Sequence, residues 1–326
     1  MFKRILVPLD GSERAERALP IAARLARASG GTIILVRVVS TEPVSSPSAP
    51  AKPILIQTVG EVDLTMAESY LAGRAGSDPL SGIPVQTQVP VGLVSSSILA
   101  IAAEKQADII VMCSHGYTGV KHWWLMGSVA GRVARFSPIP VFILREGGPI
   151  PEPRQPGERP LRVLVPLDGS DYAKAGLVPA AYLAAALAAP GRGALHLVYV
   201  VQPPHEAKAP TRTAHTSQNT QALQNMAREY LNAVIQRIRD RSEYPAIANL
   251  NLEFTSSVVV DDDVARGIIR VAENGANGEG AKVFGGCDAI AMTTHGEGGL
   301  QHWVGSVTER VLHTSRLPLL IVRPQE

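Results

Sequence analysis

Short apolar runs alternate along this chain with stretches whose apolar residues recur every three or four positions. Phe2 to Leu9 is the first run, and it predicts a strand ending in a Gly-Ser turn. Ala15, Ala18, Leu19, Ala22, Leu25 and Ala26 then paint one stripe of a helix, which Pro20 is expected to bend. After Gly30-Gly31, Thr32 to Val39 is apolar at nearly every position, as suits a strand covered on both faces. Thr41 to Pro53 reads as a Pro- and Ser-rich loop. Beyond it the pattern predicts a helix over 61–74, a strand over 85–91, a helix over 95–104 and a strand over 108–113. A helix after Ser128 and a last strand over 140–144 complete the set. Five strands thus alternate with four helices, which predicts a parallel, doubly wound sheet with right-handed crossovers.

The chain then says the same thing again. Arg4-Ile5-Leu6-Val7-Pro8-Leu9-Asp10-Gly11-Ser12 returns as Arg162-Val163-Leu164-Val165-Pro166-Leu167-Asp168-Gly169-Ser170. Ala67 to Leu71 matches Ala227 to Leu231, Ser114-His115-Gly116 matches Thr294-His295-Gly296, and Gly127-Ser128-Val129 matches Gly305-Ser306-Val307. A repeat of this length means two copies of one α/β domain. The expected boundaries are 1–146 and 161–326, joined by a linker over 147–160 that carries five prolines. The second copy has a longer second helix, near 218–241, and a Gly- and Asn-rich insertion at 274–286 that reads as a surface loop.

Composition narrows the function classes. With 45% hydrophobic and 18% charged residues the chain is globular, and a net charge of +2 with scattered Lys and Arg recommends no nucleic-acid partner. No apolar run reaches membrane-spanning length, and the start reads directly into a strand without a signal-peptide core. Cys113 and Cys287 occupy unrelated positions of the repeat and read as free thiols in a reducing compartment, so the expected location is the cytoplasm.

In an open parallel sheet, ligands bind beyond the carboxyl ends of the strands where the winding reverses. With the first strand central, that point lies between the first and fourth strands. It brings Pro8, Leu9 and Asp10 toward Met112, His115 and Gly116, and Pro166, Leu167 and Asp168 toward Met292, His295 and Gly296. These are also the segments the repeat duplicates most faithfully. The glycine-bearing loop that follows ends in Gly-Ser where the last helix begins. Unpaired N–H groups there, at the positive end of the helix dipole, favour an anion such as phosphate. Each candidate has a plainer reading. Asp10 and Asp168 suit turn residues that cap the first helix, and Ser128 and Ser306 suit helix caps; Ser306 to Glu309 has the form of a capping box. His115 and His295 read as loop histidines with their backbone near the ligand. Trp123, Trp124 and Trp303 read as anchors for the loop, Asp261-Asp262-Asp263 as a helix start, and Cys113 as an inert, half-buried thiol.

On these residues the whole chain resembles a tandem universal stress protein. The marks are the Val-Pro-Leu-Asp-Gly-Ser strand end, the Ser/Thr-His-Gly segment, and Gly-Ser-Val ahead of the last helix and strand. The resemblance implies two five-stranded parallel sheets of the adenine nucleotide alpha hydrolase-like type, with strand order 3-2-1-4-5. It also implies that ATP or AMP binds one or both halves. Asp10 and Asp168 would lie at the adenosine end, with Val38 and Val200, at the ends of the second strands, lining the base. Gly116, Gly127, Ser128 and Val129 would surround the phosphates in one half, and Gly296, Gly305, Ser306, Val307 and Thr308 in the other. The family's phosphate loop reads Gly, two residues, Gly, nine residues, then Gly-Ser or Gly-Thr. Here Cys113 and Thr293 replace its first glycine, which is troublesome if that residue needs a positive φ, and the spacers are ten residues (117–126) and eight (297–304). The second half keeps the fuller Gly-Ser-Val-Thr-Glu and is slightly favoured; the first offers Lys121 as a counter-charge.

No Walker loop, nucleophile elbow or His-Glu-x-x-His motif is present. Mg²⁺ held by Asp10 through water would have no second duplicated carboxylate beside it, and no resident metal is expected. The expectation is therefore a stress-response regulator that binds a nucleotide without efficient turnover. The alternatives are a nucleotide-free dimerisation or interaction module and, behind it, a weak ATPase. The apolar last strands, 141–144 and 319–322, sit at sheet edges, so the halves are expected to pair there as an intramolecular pseudo-dimer, with a homodimer as the intermolecular counterpart. No membrane partner is expected.

Overall fold

The computed structural model describes residues 2–41, 61–115, 127–152, 154, 158–203, 214–275, 285–295 and 305–324, with backbone alone for 214–217. Two compact units divide it, Met1–Glu146 and Gly147–Glu326. In the first, the elements are β1 (Arg4–Pro8), α1 (Glu13–Glu16), α2 (Ala18–Ser29), β2 (Thr32–Val36), β3 (Val39–Ser40), α3 (Glu61–Ala75), β4 (Val85–Gln88), β5 (Val91–Gly92), α4 (Val94–Glu104), β6 (Ile109–Cys113), α5 (Ser128–Phe136) and β7 (Val141–Leu144). The main sheet runs β4-β2-β1-β6-β7 with every pair parallel. That is order 3-2-1-4-5, and its winding reverses at β1.

The second unit contains β8 (Leu161–Pro166), α6 (Asp171–Lys174), α7 (Leu177–Ala188), β9 (Gly193–Val201), α8 (Ala214–Arg239), α9 (Pro245–Ala248), β10 (Leu252–Val260), α10 (Val264–Asn274), β11 (Ala289–Thr293), α11 (Ser306–Thr314) and β12 (Leu319–Val322). Its parallel sheet runs β10-β9-β8-β11-β12, the same order. Ile5, Leu6, Val7, Ile109, Ile110 and Val111 are fully buried, as are Val163, Leu164, Val165, Ala289, Ile290 and Ala291. Continuous apolar strands are what a sheet covered on both faces requires.

One aspartate in each unit pins the fourth strand to the first. Asp108 Oδ2 accepts from the N–H of Lys3 at 2.8 Å and of Arg4 at 2.7 Å. Asp288 Oδ2 accepts from Arg162 N–H at 2.8 Å, and the same carboxylate receives Arg154 and Arg159 from the Pro-rich segment after β7. These anchors tie the amino-terminal starts of the two strands together, at the sheet edge opposite the crevice.

Several local expectations need correction. Pro20 does not bend a continuous helix. The break comes at Arg17, between α1 and α2, because a proline withdraws the bond to the carbonyl four residues earlier, here Glu16, the last residue of α1. The apolar run to Val39 is not one strand either. Pro90, in the adjacent segment between β4 and β5, has no N–H to donate, so the ladder splits into β2–β4 and a separate β3–β5 pair, leaving Arg37 and Val38 between them. In the second unit Val259 stands at the matching place, and β9 and β10 pair without a break over nine residues.

His196 is fully buried in β9, with Nδ1 2.8 Å from Thr255 Oγ1 and Nε2 2.8 Å from Ser257 Oγ. Burial, helped by Arg162, pushes its pKa down to about 3, so the folded ring stays neutral. A depressed histidine contributes stability above its unfolded pKa and loses it as pH falls. Stability should therefore drop by about 1.4 kcal/mol per pH unit from pH 6.5 toward 3 on account of this one residue. Urea melts at pH 6.5 and 4.5 should show a smaller drop in His196→Gln than in wild type, and equal drops would contradict the assignment.

Candidate functional site

Beyond β1 and β8 the chain makes the same turn twice. Asp168 Oδ1 accepts from Ser170 N at 3.0 Å and Ser170 Oγ at 2.6 Å, and Ser170 Oγ in turn accepts from Ala173 N at 3.1 Å. Asp10, Ser12 and Ala15 repeat this at 3.0, 2.6 and 3.2 Å. The serine, not the aspartate, caps the helix; the aspartate braces the serine. Gly11 and Gly169 hold φ of 92° and 94°, which a side chain rarely tolerates. The aspartates thus stay at the strand ends with Oδ1 committed to the turn.

Beyond β6 and β11 the chain returns to start the last helix through one backbone bond. Gly305 N–H donates to Thr294 O at 2.6 Å, and Gly127 N–H to Ser114 O at 2.9 Å. The cap positions are these glycines, so Ser128 and Ser306 are the first helical residues and not the caps. The Ser306–Glu309 capping box therefore does not form as its pattern suggests. Neither glycine supplies a side-chain cap, so no cap side chain competes for the first N–H groups of the helix. Thr308 Oγ1 donates to Thr293 O at 2.8 Å, and Thr293 Oγ1 donates to His295 O at 2.5 Å, fixing the helix start to the strand end. A Cβ on Gly127 would lie 2.6 Å from Ser114 O, which explains the glycine by close approach.

Cys113 and Thr293 end their strands without a positive φ, so the missing glycine costs no backbone strain. Cys113 is buried rather than half-buried, and burial pushes its thiol up to about 12. His115 and His295 are buried, with Nδ1 3.1 Å from Ser114 Oγ and 2.8 Å from Thr294 Oγ1 respectively. Glu146 Oε2 also lies 3.4 Å from His115 Nδ1. Asp263 caps α10 by accepting from Arg266 N at 3.2 Å, and Asp261 is bridged by Arg266 and Arg270. Among the described residues no three His, Cys, Asp or Glu side chains are grouped to hold a metal ion.

In the second unit these edges enclose a cavity of about 700 Å³. Pro166, Leu167 and Asp168 reach it from β8, Val200 from β9, Met292 and His295 from β11, and Gly305, Ser306, Val307 and Thr308 from the start of α11. Gly296 lies outside the described residues, as do Gly116, Lys121, the three tryptophans and most of the 274–286 insertion. Sequence reasoning missed the far wall: Tyr199, Tyr230, Val264, Ile268, and Leu223 and Met226 on α8. Tyr230 had left a signal, since Tyr70 and Tyr230 mark the repeat. The rings of Tyr199 and Tyr230 stand edge to face with centroids 6.1 Å apart, and Tyr199 Oη donates to Asp168 O at 3.2 Å. Burial and the Asp168 charge raise Tyr230 to about 12, which keeps its hydroxyl protonated.

In the first unit Pro8, Leu9 and Asp10 end β1, Met112 and His115 lie at the end of β6, and Gly127, Ser128 and Val129 start α5. Val38 is not at a strand end, because β2 stops at Val36. Arg37 there lies against Gly11 and over the ring of Tyr70.

The sequence model of the universal stress protein family matches residues 1–145 and again 161–323. The chain belongs to the universal stress protein family. It carries two such domains, and the curated relatives each correspond to about one of them. A universal stress protein of Thermus aquaticus is 33% identical over 146 residues, covering 44% of this chain and 100% of the relative. One from Methanocaldococcus jannaschii is 28% identical over 154 residues, covering 45% of this chain and 84% of the relative. A solved universal stress protein of Archaeoglobus fulgidus matches the fold over 99% of this chain and 97% of its own, with a TM-score of 0.57 at 19% identity. No helix among the described residues is long and apolar enough to cross a membrane.

The two turn glycines give a direct comparison of the universal stress domains. A Cβ on Gly169 meets nothing within 4 Å, whereas one on Gly11 meets the Arg37 guanidinium at 3.3 Å. Gly169→Ala should cost only the backbone strain, roughly 1 kcal/mol, and Gly11→Ala more, because Arg37 must also move. Denaturant unfolding of both variants checks this; equal losses, or a larger loss for Gly169→Ala, would contradict it.

Proposed function

We propose that the second universal stress domain binds an adenine nucleotide, ATP or AMP, and that occupancy of its cavity is the regulatory signal in a stress response. The observation that carries this reading is the cavity itself, at the β8/β11 reversal, with two chemically different walls. Its volume of about 700 Å³ falls within the range of small-molecule sites, roughly 300–1,000 Å³. One wall is apolar, from Val198, Val200, Val264 and Ile268, and suits a flat base. The other carries the opening residues of α11, whose glycine cap leaves the first amides to an incoming anion. Asp168 is the one carboxylate among the described wall residues, placed to accept from ligand hydroxyl or amino groups.

These residues fit the nucleotide and also account for slow chemistry at best. The carboxylate already serves the turn through Oδ1, and Thr308 already donates to Thr293 O. What the protein does is bind, orient and screen. Leu223 and Met226 are 40% and 65% exposed on α8 and border the cavity, so a bound ligand would cover part of their apolar surface and tie α8 to the sheet. That is the route by which occupancy changes the outer face of the domain. Any Mg²⁺ would arrive with the phosphates.

Calorimetric titration of the full chain with ATP and AMP tests the reading. Wild type should bind, and Asp168→Ala should bind at least about tenfold more weakly, a change of about 1.4 kcal/mol. Asp10→Ala should match wild type, with circular dichroism confirming that both variants fold. Silence with both nucleotides would overturn the proposal in favour of a nucleotide-free interaction module. Phosphate release that disappears in Asp168→Ala would replace it with a weak ATPase.

A further inference from the structure

We propose that Arg37 closes the first universal stress domain to the nucleotide, so that one chain holds a single nucleotide, in its second half. This rests on the second half being a nucleotide site. Register fixes which residues to compare. Pro8 pairs with Val36 and Pro166 with Val198, so Arg37 and Tyr199 are the next residues at matching points on the carboxyl edge. Gly169, Tyr199 and Tyr230 all line the cavity of the second half. Their counterparts Gly11, Arg37 and Tyr70 are packed against one another instead. The Arg37 guanidinium lies flat on Gly11, with Nη2, Cζ and Nη1 at 3.3, 3.4 and 3.5 Å from the point where a Cβ would stand. At Gly169 that space is open to 4 Å.

A clamp holds the guanidinium there. Its Cζ sits 4.7 Å from the centroid of Tyr70, within cation–π range. Tyr70 Oη donates to Glu16 Oε1 at 2.8 Å, Arg74 Nη1 donates to Glu16 Oε2 at 2.9 Å, and Arg74 Cζ is 5.8 Å from the same ring. Burial first, then the Glu16 bond, raises the pKa of Tyr70, so the hydroxyl keeps the proton it donates. In the second half Lys174 stands at the place of Glu16 and Val234 at that of Arg74, so this clamp has no counterpart. A guanidinium also stays charged at any ordinary pH, and a neutral base or sugar entering this half would have to displace it from the ring without offering a replacement.

Counting nucleotides per chain tests the inference, by calorimetry with ATP and with AMP on the full protein. Wild type should bind about one. Arg37→Tyr, which installs the second-half residue, and Arg37→Ala should each bind about two. The double variant Arg37→Ala/Asp168→Ala should keep one site at the affinity of the newly opened half. Tyr70→Phe, which cuts the clamp without emptying the core, should raise the count above wild type and guards against misfolding at position 37. Two nucleotides on wild type, or one on every variant, would overturn the plug while leaving the second-half site intact. Silence in wild type with binding in Arg37→Ala would uphold the plug and overturn the second-half site. Silence throughout would overturn both.

Discussion

A single backbone hydrogen bond in each half does most to shape this molecule. The amide of the glycine that caps the last helix donates to the carbonyl just beyond the fourth strand, from Gly305 to Thr294 and from Gly127 to Ser114. It returns the chain to the sheet after a loop and fixes where the first free amides of that helix begin. At Gly127 a Cβ would stand 2.6 Å from that carbonyl, so packing alone requires glycine in the first half; at Gly305 it would stand 3.4 Å away, an ordinary contact. The serine that follows is thereby moved inside the helix. The aspartate turn after the first strand forms the facing rim, and the sheet order guarantees that the two rims are neighbours.

From this shared frame the halves diverge by a few residues at one edge. An unbroken β9–β10 pair carries Tyr199 into the cavity wall, whereas Pro90 interrupts the matching pair and Arg37 falls in the break. The frame is the same; the contents are not. One rim faces open space at Gly169, and the other faces a guanidinium stacked on the half-buried ring of Tyr70. A duplicated domain tolerates this because fold and ligand chemistry reside in different residues. The apolar strands and the Asp108 and Asp288 anchors hold the sheet, while residues one step past the strand ends line the cavity in the second half and pack on the Gly11 turn in the first.

Much of the fold was legible because its causes are local. Apolar runs, the Gly-Ser turn and the duplicated Val-Pro-Leu-Asp-Gly-Ser segment gave the strands and the two switch points, while the order 3-2-1-4-5 came from the family resemblance. The second-half residues placed at the crevice from sequence do converge on one cavity, so far as they are described. What escaped depends on neighbours remote in the chain. Pro90 splits a strand it is not part of, and Arg37 matters only through Tyr70, Glu16 and Gly11. The capping box at Ser306 misled because glycine at 305 takes the cap and a tertiary bond, from Thr308 to Thr293, claims the residue beside Glu309. Tyr230 was visible as a repeated residue, but its wall position follows from the packing of α8 on the sheet.

The central claim is that the opening turn of α11 receives the phosphates of a nucleotide held over β8 and β11. Backbone amide resonances report this directly, in isotope-labelled full-length protein titrated with ATP. The account predicts saturable shifts at Ser306, Val307 and Thr308, together with Gly169, and none at Ser128 to Ala130 in the first half. Shifts confined to other surfaces, or an unchanged spectrum at millimolar ATP, would contradict it.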